Sequence, residues 1–257
     1  MEWAGLNLQG EDLNNIAHIV LVLLGGVLYS MGLMEGRKGR AMFLAGLAVH
    51  AITLIHRGVV LGWLPVTEKH DNVSWMAFAM ALAHWHYTTR ERLGEVNLIS
   101  LPMVVVLYVS SLAFRPLNTV TPFMHTPWFY LHTLFYSVSY GYMGMASAIG
   151  IQSLIERRPD YEPPAYRAAM AGWIAISISL CAGSIWFFVS YGTYWLWSAR
   201  EMWITIMWLY WSLYLHARLM RGLRGTPARV IGAEGFAVAL FAYFGVGTII
   251  PCPPTYF

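Results

Sequence analysis

Charged side chains are scarce in this sequence. Asp, Glu, Lys and Arg make up 11% of its 257 residues, whereas an ordinary soluble domain has about a quarter. So apolar a chain is not expected to be a soluble globular protein. The few basic residues are divided among separate segments and are not gathered on one face, which argues against nucleic-acid binding.

Cysteine is also scarce. The two cysteines, Cys181 and Cys252, form neither a CxxC nor a CxxCH pattern. Their spacing therefore indicates no zinc knuckle and no covalent attachment of haem to this chain. A disulfide is not expected, because the two residues are predicted at different depths. The N-terminal segment has no basic residue, so we expect no cleavable signal peptide.

The sequence instead contains eight long apolar stretches. Each approaches or exceeds the roughly 17 to 25 residues with which a helix spans a bilayer. Lipid offers no hydrogen-bond partners to the backbone, so we predict an all-α fold. The prediction is one polytopic domain over residues 1–257, an integral membrane bundle of about eight transmembrane helices. The stretches lie near residues 16–34, 41–63, 73–89, 97–114, 126–154, 168–190, 201–221 and 229–250.

The basic residues predict the orientation. Twelve of the sixteen Lys and Arg residues lie in four connectors, EGRKGR, TTRERLGE, IERRPDYEPPAYR and ARLMRGLRGTPAR. Cytoplasmic loops carry such an excess of positive charge. We therefore expect both termini and the segment YGTYWLWSARE on the outer side of a bacterial-type plasma membrane or its equivalent.

Nine histidines are unusual in so apolar a chain. Ionisable residues inside a membrane are costly and usually face a polar interior, a cavity or a ligand. His50 and His216 are predicted toward the cytoplasmic half of separate spans, where they could hold one haem b between them as axial ligands. Alternatively, each forms an ordinary hydrogen bond to a neighbour.

The other histidines divide by depth. His84 and His86 are predicted near the cytoplasmic end of the third span, where amphipathic rings act as interfacial anchors. The remaining five are predicted in the outer half of the membrane or in outer loops: His18, His56, His70, His125 and His132.

The segment YGTYWLWSARE is rich in aromatic rings, and the pattern continues into the next span. Aromatic belts occur at membrane interfaces without further function. Rings beside an arginine also suit a porphyrin, because aromatic side chains stack on its face and a guanidinium binds its propionates. Both interpretations stay open for Trp195, Trp197, Arg200, Trp203 and Trp208.

Three spaced motifs resemble one family, the CcsA/ResC-type membrane proteins of cytochrome c biogenesis. YGTYWLWSAREMWITIMWLYWSLYLHAR is similar to the family's tryptophan-rich motif, approximately WGxYWxWDPKExWxxxxW followed by YLHTR. HAITLIHRGVVLGWLP resembles its H-x6-R segment and aligns His50 with the histidine. WFYLHTLFYSVSY resembles WxMxHVxxxxxSY and aligns His132 with an outer haem-ligand position.

The resemblance implies a membrane protein that binds haem and presents it at the outer face for attachment to apocytochrome c. It implies part of a cytochrome c synthase, or haem lyase, that works with a partner membrane subunit; no catalytic residue is assigned. The haem-iron ligands would be His50, His216 and His132. The aromatic shelf would contain Trp195, Trp197, Arg200, Trp203 and Trp208.

The sequence also departs from the family pattern. The Asp-Pro-Lys of the motif is Ser198-Ala199-Arg200, and the tail has Pro254 where the family has its second outer histidine. Proline cannot bind iron, so Cys252 or another histidine would be needed there. In the segment after the second span, His70 and Asp71 replace a tyrosine and a glutamate. The candidates for the missing ligand are Cys252, His125 and His70.

Two other functions remain open. The same bundle could hold a b-type haem as an electron-transfer subunit between membrane quinol and an external cytochrome, such as a multihaem cytochrome. It could also be a haem-free structural subunit whose histidines are ordinary hydrogen-bonded groups. Function depends on the site and not on the fold alone, so these alternatives must be separated at the histidines.

Overall fold

The computed structural model describes residues 11–91, 93–114 and 122–246, and within these residues the protein is all-helical with eight α-helices. This confirms the predicted all-α fold. Short 3₁₀ turns flank α4 and precede α5 and α6, and a π-helical turn, Phe241–Gly245, continues α8. The helices are α1 Glu11–Met31, α2 Gly36–Leu61, α3 Lys69–Thr89, α4 Asn97–Ser110, α5 Pro127–Ile155, α6 Glu162–Tyr191, α7 Ala199–Ala217 and α8 Thr226–Leu240.

Local sequence signals fix several helix ends. Thr126 caps the start of α5, where its hydroxyl accepts a hydrogen bond from the backbone N–H of Phe129, and Pro127 occupies the first helical position. Both choices satisfy or remove backbone donors that a helix start leaves unpaired. Gly62 and Gly192 end α2 and α6 at φ 75° and 72°, a left-handed conformation that favours glycine.

Five of the described helical segments are long and apolar enough to cross a membrane: residues 13–31, 36–61, 94–113, 159–191 and 226–245. The chain is therefore an integral membrane protein. The segments of α3, α5 and α7 are less apolar. In α5 the reason is burial, because its inner faces carry small and polar residues such as Ser139, Ser147 and Gln152.

α5 is the central helix. It packs against α6 most extensively and also against α3, α4 and α8. A Cβ atom added at Gly141 would lie 2.5 Å from the backbone nitrogen of Met80, so α3 and α5 meet almost backbone to backbone. Small residues permit such close helix packing in membranes. α5 thus joins the first four helices to α6, α7 and α8.

Candidate functional site

His132 on α5 is held by one residue of α6. Its Nδ1 lies 2.9 Å from the backbone oxygen of Ser179, and the Ser179 hydroxyl donates to the backbone oxygen of His132 over 2.8 Å. A carbonyl oxygen can only accept, so Nδ1 carries the proton of the neutral ring. The lone pair is consequently on Nε2, which has no hydrogen-bond partner within the described residues. This tautomer suits a metal ligand whose second nitrogen is held in place.

The space around the His132 ring depends on a glycine. A Cβ atom added at Gly183 would lie 2.6 Å from Nδ1 of His132, so only glycine leaves room for this ring. Trp186 stacks near it, with ring centroids 6.2 Å apart and an interplanar angle of 20°. Tyr136 lies nearby, with ring centroids 6.0 Å apart. The half-buried His132 therefore has little room to change its orientation.

The aromatic segment follows the end of α6, a few residues after Trp186. Trp195 and Trp197 meet edge to face with ring centroids 6.3 Å apart. Trp195 is partly buried and its indole N–H is buried without a partner among the described residues, whereas Trp197 is 78% exposed. Arg200 is exposed in the first turn of α7. Flat rings and a cation thus lie at the same end of the bundle as His132.

The structure places Trp203 and Trp208 differently. Trp203 meets Phe241 of the π-helical turn edge to face at 4.6 Å. Trp208 lies 5.3 Å from Trp173, and its indole N–H donates to the Ser177 hydroxyl over 2.9 Å. These two rings pack between helices, so they do not continue the surface formed by Trp195 and Trp197.

Ser198 caps the start of α7. Its hydroxyl accepts a hydrogen bond from the backbone N–H of Arg200 and donates to the carboxylate of Glu201. The spacing matches the Ser-x-x-Glu capping signature. Aspartate, which the family motif has at this position, is an equally good cap. The substitution therefore keeps the helix start and removes one negative charge from it.

His50 is completely buried and hydrogen-bonded on both sides. Nδ1 lies 3.1 Å from the Tyr29 hydroxyl, and Nε2 lies 3.1 Å from the Ser74 hydroxyl. The ring stacks on Tyr108 with centroids 3.7 Å apart and packs edge to face against Phe78. His50 would have to release one of these hydroxyls before it could bind iron.

His216 has the opposite environment. It is exposed in the last turn of α7, where its Nδ1 lies 2.7 Å from the backbone oxygen of Ser212. That bond leaves the lone pair on Nε2, as at His132. α7 packs against α6 and α8, whereas α2 packs against α1 and α3. Among the described residues no contact joins His50 to His216, so the structure does not bring the two together.

Three further histidines have different environments. His84 is buried, not interfacial, and its Nδ1 lies 2.7 Å from the Ser100 hydroxyl. His86 is exposed at the end of α3, and His125 is exposed beside Trp63, two residues before the start of α5. Cys252 and Pro254 lie outside the described residues.

One polar cluster was not predicted from the sequence. His18 and His70 are hydrogen-bonded through their Nε2 atoms at 2.7 Å, and a buried ion pair joins Arg57 to Asp71 at 3.1 Å. Burial raises the pKa of the nearby Glu68 carboxyl, and the charge of Asp71 raises it further. The signal available in the sequence was the concentration of histidines predicted in the outer half, which places residues at one depth but does not pair them.

The sequence is similar to those of known proteins of cytochrome c assembly. Residues 68–251 match the family described as cytochrome C assembly protein, and the chain belongs to that family. The cytochrome c biogenesis protein CcsA of Chlamydomonas reinhardtii is 25% identical over 219 residues, covering 77% of this chain and 62% of the relative. CcsA of Microcystis aeruginosa is 22% identical over an alignment of 309 residues, covering 92% of this chain and 94% of the relative.

Coverage differs among the relatives. CcsA of Prochlorococcus marinus MED4 is 20% identical over 237 residues, covering 76% of each chain. This chain thus spans less than two thirds of the Chlamydomonas relative and more of the others. The match over residues 68–251 includes His132, Trp195, Trp197, Arg200 and His216.

Proposed function

We propose that this protein binds haem in the membrane and presents it for attachment to apocytochrome c. The proposal includes eight membrane spans, both termini on the outer side, and the segment 191–208 facing the outer compartment. It makes the chain part of a cytochrome c synthase that works with a partner membrane subunit. Membership of the cytochrome C assembly family supports it, as does the hydrogen bond that orients the His132 ring.

The observation that carries the proposal is the fixed tautomer of His132. The Ser179 carbonyl oxygen orients Nδ1, and Gly183 leaves room for the ring, so Nε2 offers its lone pair to haem iron. Orientation of a ligand by a second hydrogen bond raises its basicity and fixes its direction. A bound haem b would supply the vinyl groups that accept cysteine thiols of the client protein.

The aromatic segment has a matching role in the proposal. Trp195 and Trp197 would stack on the porphyrin face, and Arg200 would bind a propionate. Trp203 and Trp208 pack between helices. They would hold α7, and with it the aromatic segment before α7, in position. The protein contributes position and exclusion of water and no nucleophile, because the attacking thiol belongs to the client.

A second haem held by His50 and His216 remains part of the proposal in a limited form. His216 presents Nε2 at an exposed surface and is ready to bind iron as it stands. His50 would join it only after exchange of its bond with Tyr29 or Ser74 and a rearrangement of the helices between them. Cys252 is the proposed replacement for the missing second outer ligand.

A different observation favours a second candidate function. Pro254 stands where the family has its other outer histidine, which reduces the set of outer ligands needed for haem transfer. Under this alternative the protein is a b-type haem subunit that passes electrons from quinol to an external cytochrome. The complete hydrogen bonding of His50 favours the third candidate, a haem-free structural subunit.

Two measurements separate these functions. The purified full-length protein is examined by pyridine haemochrome and reduced-minus-oxidised spectra, with His132→Ala compared with His86→Ala as a matched control. We expect the parent and His86→Ala to contain the same amount of haem per protein. His132→Ala should contain less. Absence of haem from the parent leaves only the structural subunit.

Complementation then distinguishes the two haem functions. The chain is expressed together with the proposed partner subunit in a bacterial strain whose own cytochrome c synthase has been deleted. Restored c-type cytochromes support the maturation function. Quinol-dependent reduction of the haem without restored cytochromes c supports electron transfer instead.

A further inference from the structure

Glu234 of α8 lies in the middle of a membrane span and faces away from the bundle. The apolar segment that contains it runs from residue 226 to residue 245. At about 1.5 Å per residue, Glu234 lies about 12 Å along the axis from Thr226 and roughly 17 Å from Gly245. Its side chain is nevertheless exposed. Ionisable residues at such depth almost always face the bundle interior or a cavity and have a partner, so this carboxylate requires an explanation.

The packing of α8 fixes the direction of Glu234. A Cβ atom added at Gly235 would lie 2.6 Å from the ring of Trp211, and one added at Gly232 would lie 2.6 Å from the ring of Tyr214. These two glycines hold one face of α8 tightly against α7, so the helix cannot turn to bring Glu234 inside. Long basic side chains reach the membrane interface by snorkelling, but a glutamate side chain is too short to do so from mid-span.

The contacts of Glu234 within the chain leave its charge uncompensated. The hydroxyl of Tyr210 on α7 is beside the carboxylate. Its single hydrogen can go to the carboxylate or to the backbone oxygen of Ile231, 2.9 Å away, and a phenol does not neutralise a carboxylate in either case. Arg218 and Arg229 both pair with Glu162 instead. Across residues 11–91, 93–114 and 122–246, no basic side chain forms an ion pair with Glu234.

The residues around Glu234 form a smooth apolar surface. Pro227, Val230 and Ala237 are exposed, and their spacing of three and four residues places them with Glu234 on one side of α8. We call these four residues the outer face of α8. Small residues let a second helix approach closely in a membrane. The outer face thus has the shape to receive another helix and a negative charge at its centre.

We propose that the outer face of α8 docks a transmembrane helix of the partner membrane subunit, and that a lysine or arginine in the middle of that helix pairs with Glu234. The inference rests on the proposed function, which supplies the partner subunit. Charge complementarity selects the occupant, because charged residues inside membranes pair with one another. A second copy of this chain does not fit, since a two-fold contact through this face would bring two Glu234 carboxylates together.

The first test is site-specific crosslinking in membranes that contain the full-length chain and the proposed partner subunit. A photo-crosslinking amino acid replaces Val230 on the outer face of α8. In the control it replaces Val59 of α2, which is 77% exposed. We expect Val230 to crosslink to a membrane-spanning segment of the partner that has a lysine or arginine near its middle, and Val59 to give no such product. A crosslinked segment without a basic residue, no product at Val230, or equal yields from the two positions would overturn the proposal.

The second test changes the charge. Glu234→Gln should weaken association of the two subunits, measured by fluorescence energy transfer in lipid vesicles, by about 3- to 30-fold, the range for polar contacts between membrane helices. Glu35→Gln is the matched control. Glu35 is exposed in the connector before α2 and its side chain caps no backbone group, so association should not change. Glu234→Lys should abolish association, and exchange of the partner's basic residue for glutamate should restore it. Parental affinity in Glu234→Gln, or no rescue by the charge exchange, would reject the pair.

A third measurement separates an interface from a support of the fold. The isolated chain with Glu234→Gln should unfold at the same midpoint as the parent, because the side chain faces outward. A lowered midpoint would mean that Glu234 serves the contact with Tyr210 and would overturn the proposal. None of these readouts needs haem. A confirmed charge pair without restored cytochromes c would retain the interface and reject the proposed function, whereas restored cytochromes c without the pair would reject the interface alone.

Discussion

Ser179 and His132 are hydrogen-bonded to each other across the interface between α6 and α5. The ring N–H of His132 donates to the carbonyl of Ser179 over 2.9 Å, and the hydroxyl of Ser179 donates to the carbonyl of His132 over 2.8 Å. The same residue therefore fixes both the imidazole and the helix turn that carries it. The proposed role of His132 as a haem ligand can therefore be tested by displacing its ring.

Gly183→Ala should displace the His132 ring. The added Cβ atom would lie 2.6 Å from Nδ1, closer than nonbonded carbon and nitrogen atoms approach. Overpacking of this kind costs about 1 to 3 kcal/mol, and misdirection of a ligand lowers metal affinity by about 10- to 100-fold. We expect haem per protein, measured by pyridine haemochrome, to fall accordingly.

Gly222→Ala is the control for that substitution, since a Cβ atom there meets nothing within 4 Å. It should retain the haem content of the parent. Equal haem in Gly183→Ala and the parent, with both folded, would show that the orientation of His132 does not matter for haem binding.

His216→Ala should reduce haem content without loss of stability. His216 is exposed, and surface substitutions usually change the free energy of unfolding by no more than about 0.5 kcal/mol. Any loss of haem then reflects the missing ligand and not a damaged fold. Haem spectra and thermal unfolding of the same preparation provide the two readouts.

His86→Ala serves as the comparison for His216→Ala, because His86 is also exposed near the end of its helix. We expect no change in either readout. Parental haem content in His216→Ala would remove His216 from the ligand set and leave the outer site as the only candidate.

Ser198→Ala should destabilise the start of α7. The substitution removes the cap on Arg200 N–H and the hydrogen bond to Glu201, and loss of such a cap costs about 1 kcal/mol. Hydrogen exchange of the first turn of α7 should become faster. Ser198→Asp, in contrast, keeps an N-cap and should exchange like the parent.

The same two variants separate capping from charge. If the negative charge of the family motif matters for maturation, Ser198→Asp should raise cytochrome c maturation in the complementation assay. Faster exchange in Ser198→Asp than in Ser198→Ala would contradict the role assigned to the hydroxyl.

Asp71→Asn should strongly destabilise the N-terminal half. The Arg57–Asp71 pair is buried, with 6% and 0% of the side chains exposed, and removal of one partner leaves a buried charge at a cost of about 3 to 5 kcal/mol. We expect a lower midpoint of unfolding in detergent and a lower yield of folded protein.

The exposed pair between Arg167 and Glu91 provides the contrast. Its side chains are 51% and 32% exposed, and pairs of this kind contribute about 0 to 1 kcal/mol. Glu91→Gln should therefore leave the unfolding midpoint almost unchanged. A similar effect of both substitutions would mean that burial does not govern the Arg57–Asp71 pair.

The number, order and approximate positions of the helices could be predicted from the sequence, because apolar stretches of membrane length leave little choice to the backbone. The side-chain partners that residues find on other helices could not be predicted. The position of a residue within its apolar stretch gives its depth in the membrane but does not identify its neighbour on the next helix.

Three histidines illustrate this limit. His84 was expected at the interface because it lies near a helix end, yet α4 covers it and Ser100 bonds to it. His50 has two hydroxyl partners on different helices, and His70 has His18 and Ser111. Each partner is distant in sequence, so only the packing of the bundle identifies it.

The central place of α5 has a consequence for biosynthesis. The ribosome delivers α1 to α4 before α5 emerges, so the face of α3 that receives Gly141 stays in contact with lipid until then. α5 carries buried polar side chains such as Ser139, Ser147 and Gln152, and its insertion should gain from those earlier helices. A messenger truncated before codon 127 would yield α1 to α4 without the central helix, and we expect that product to be degraded by membrane quality-control proteases.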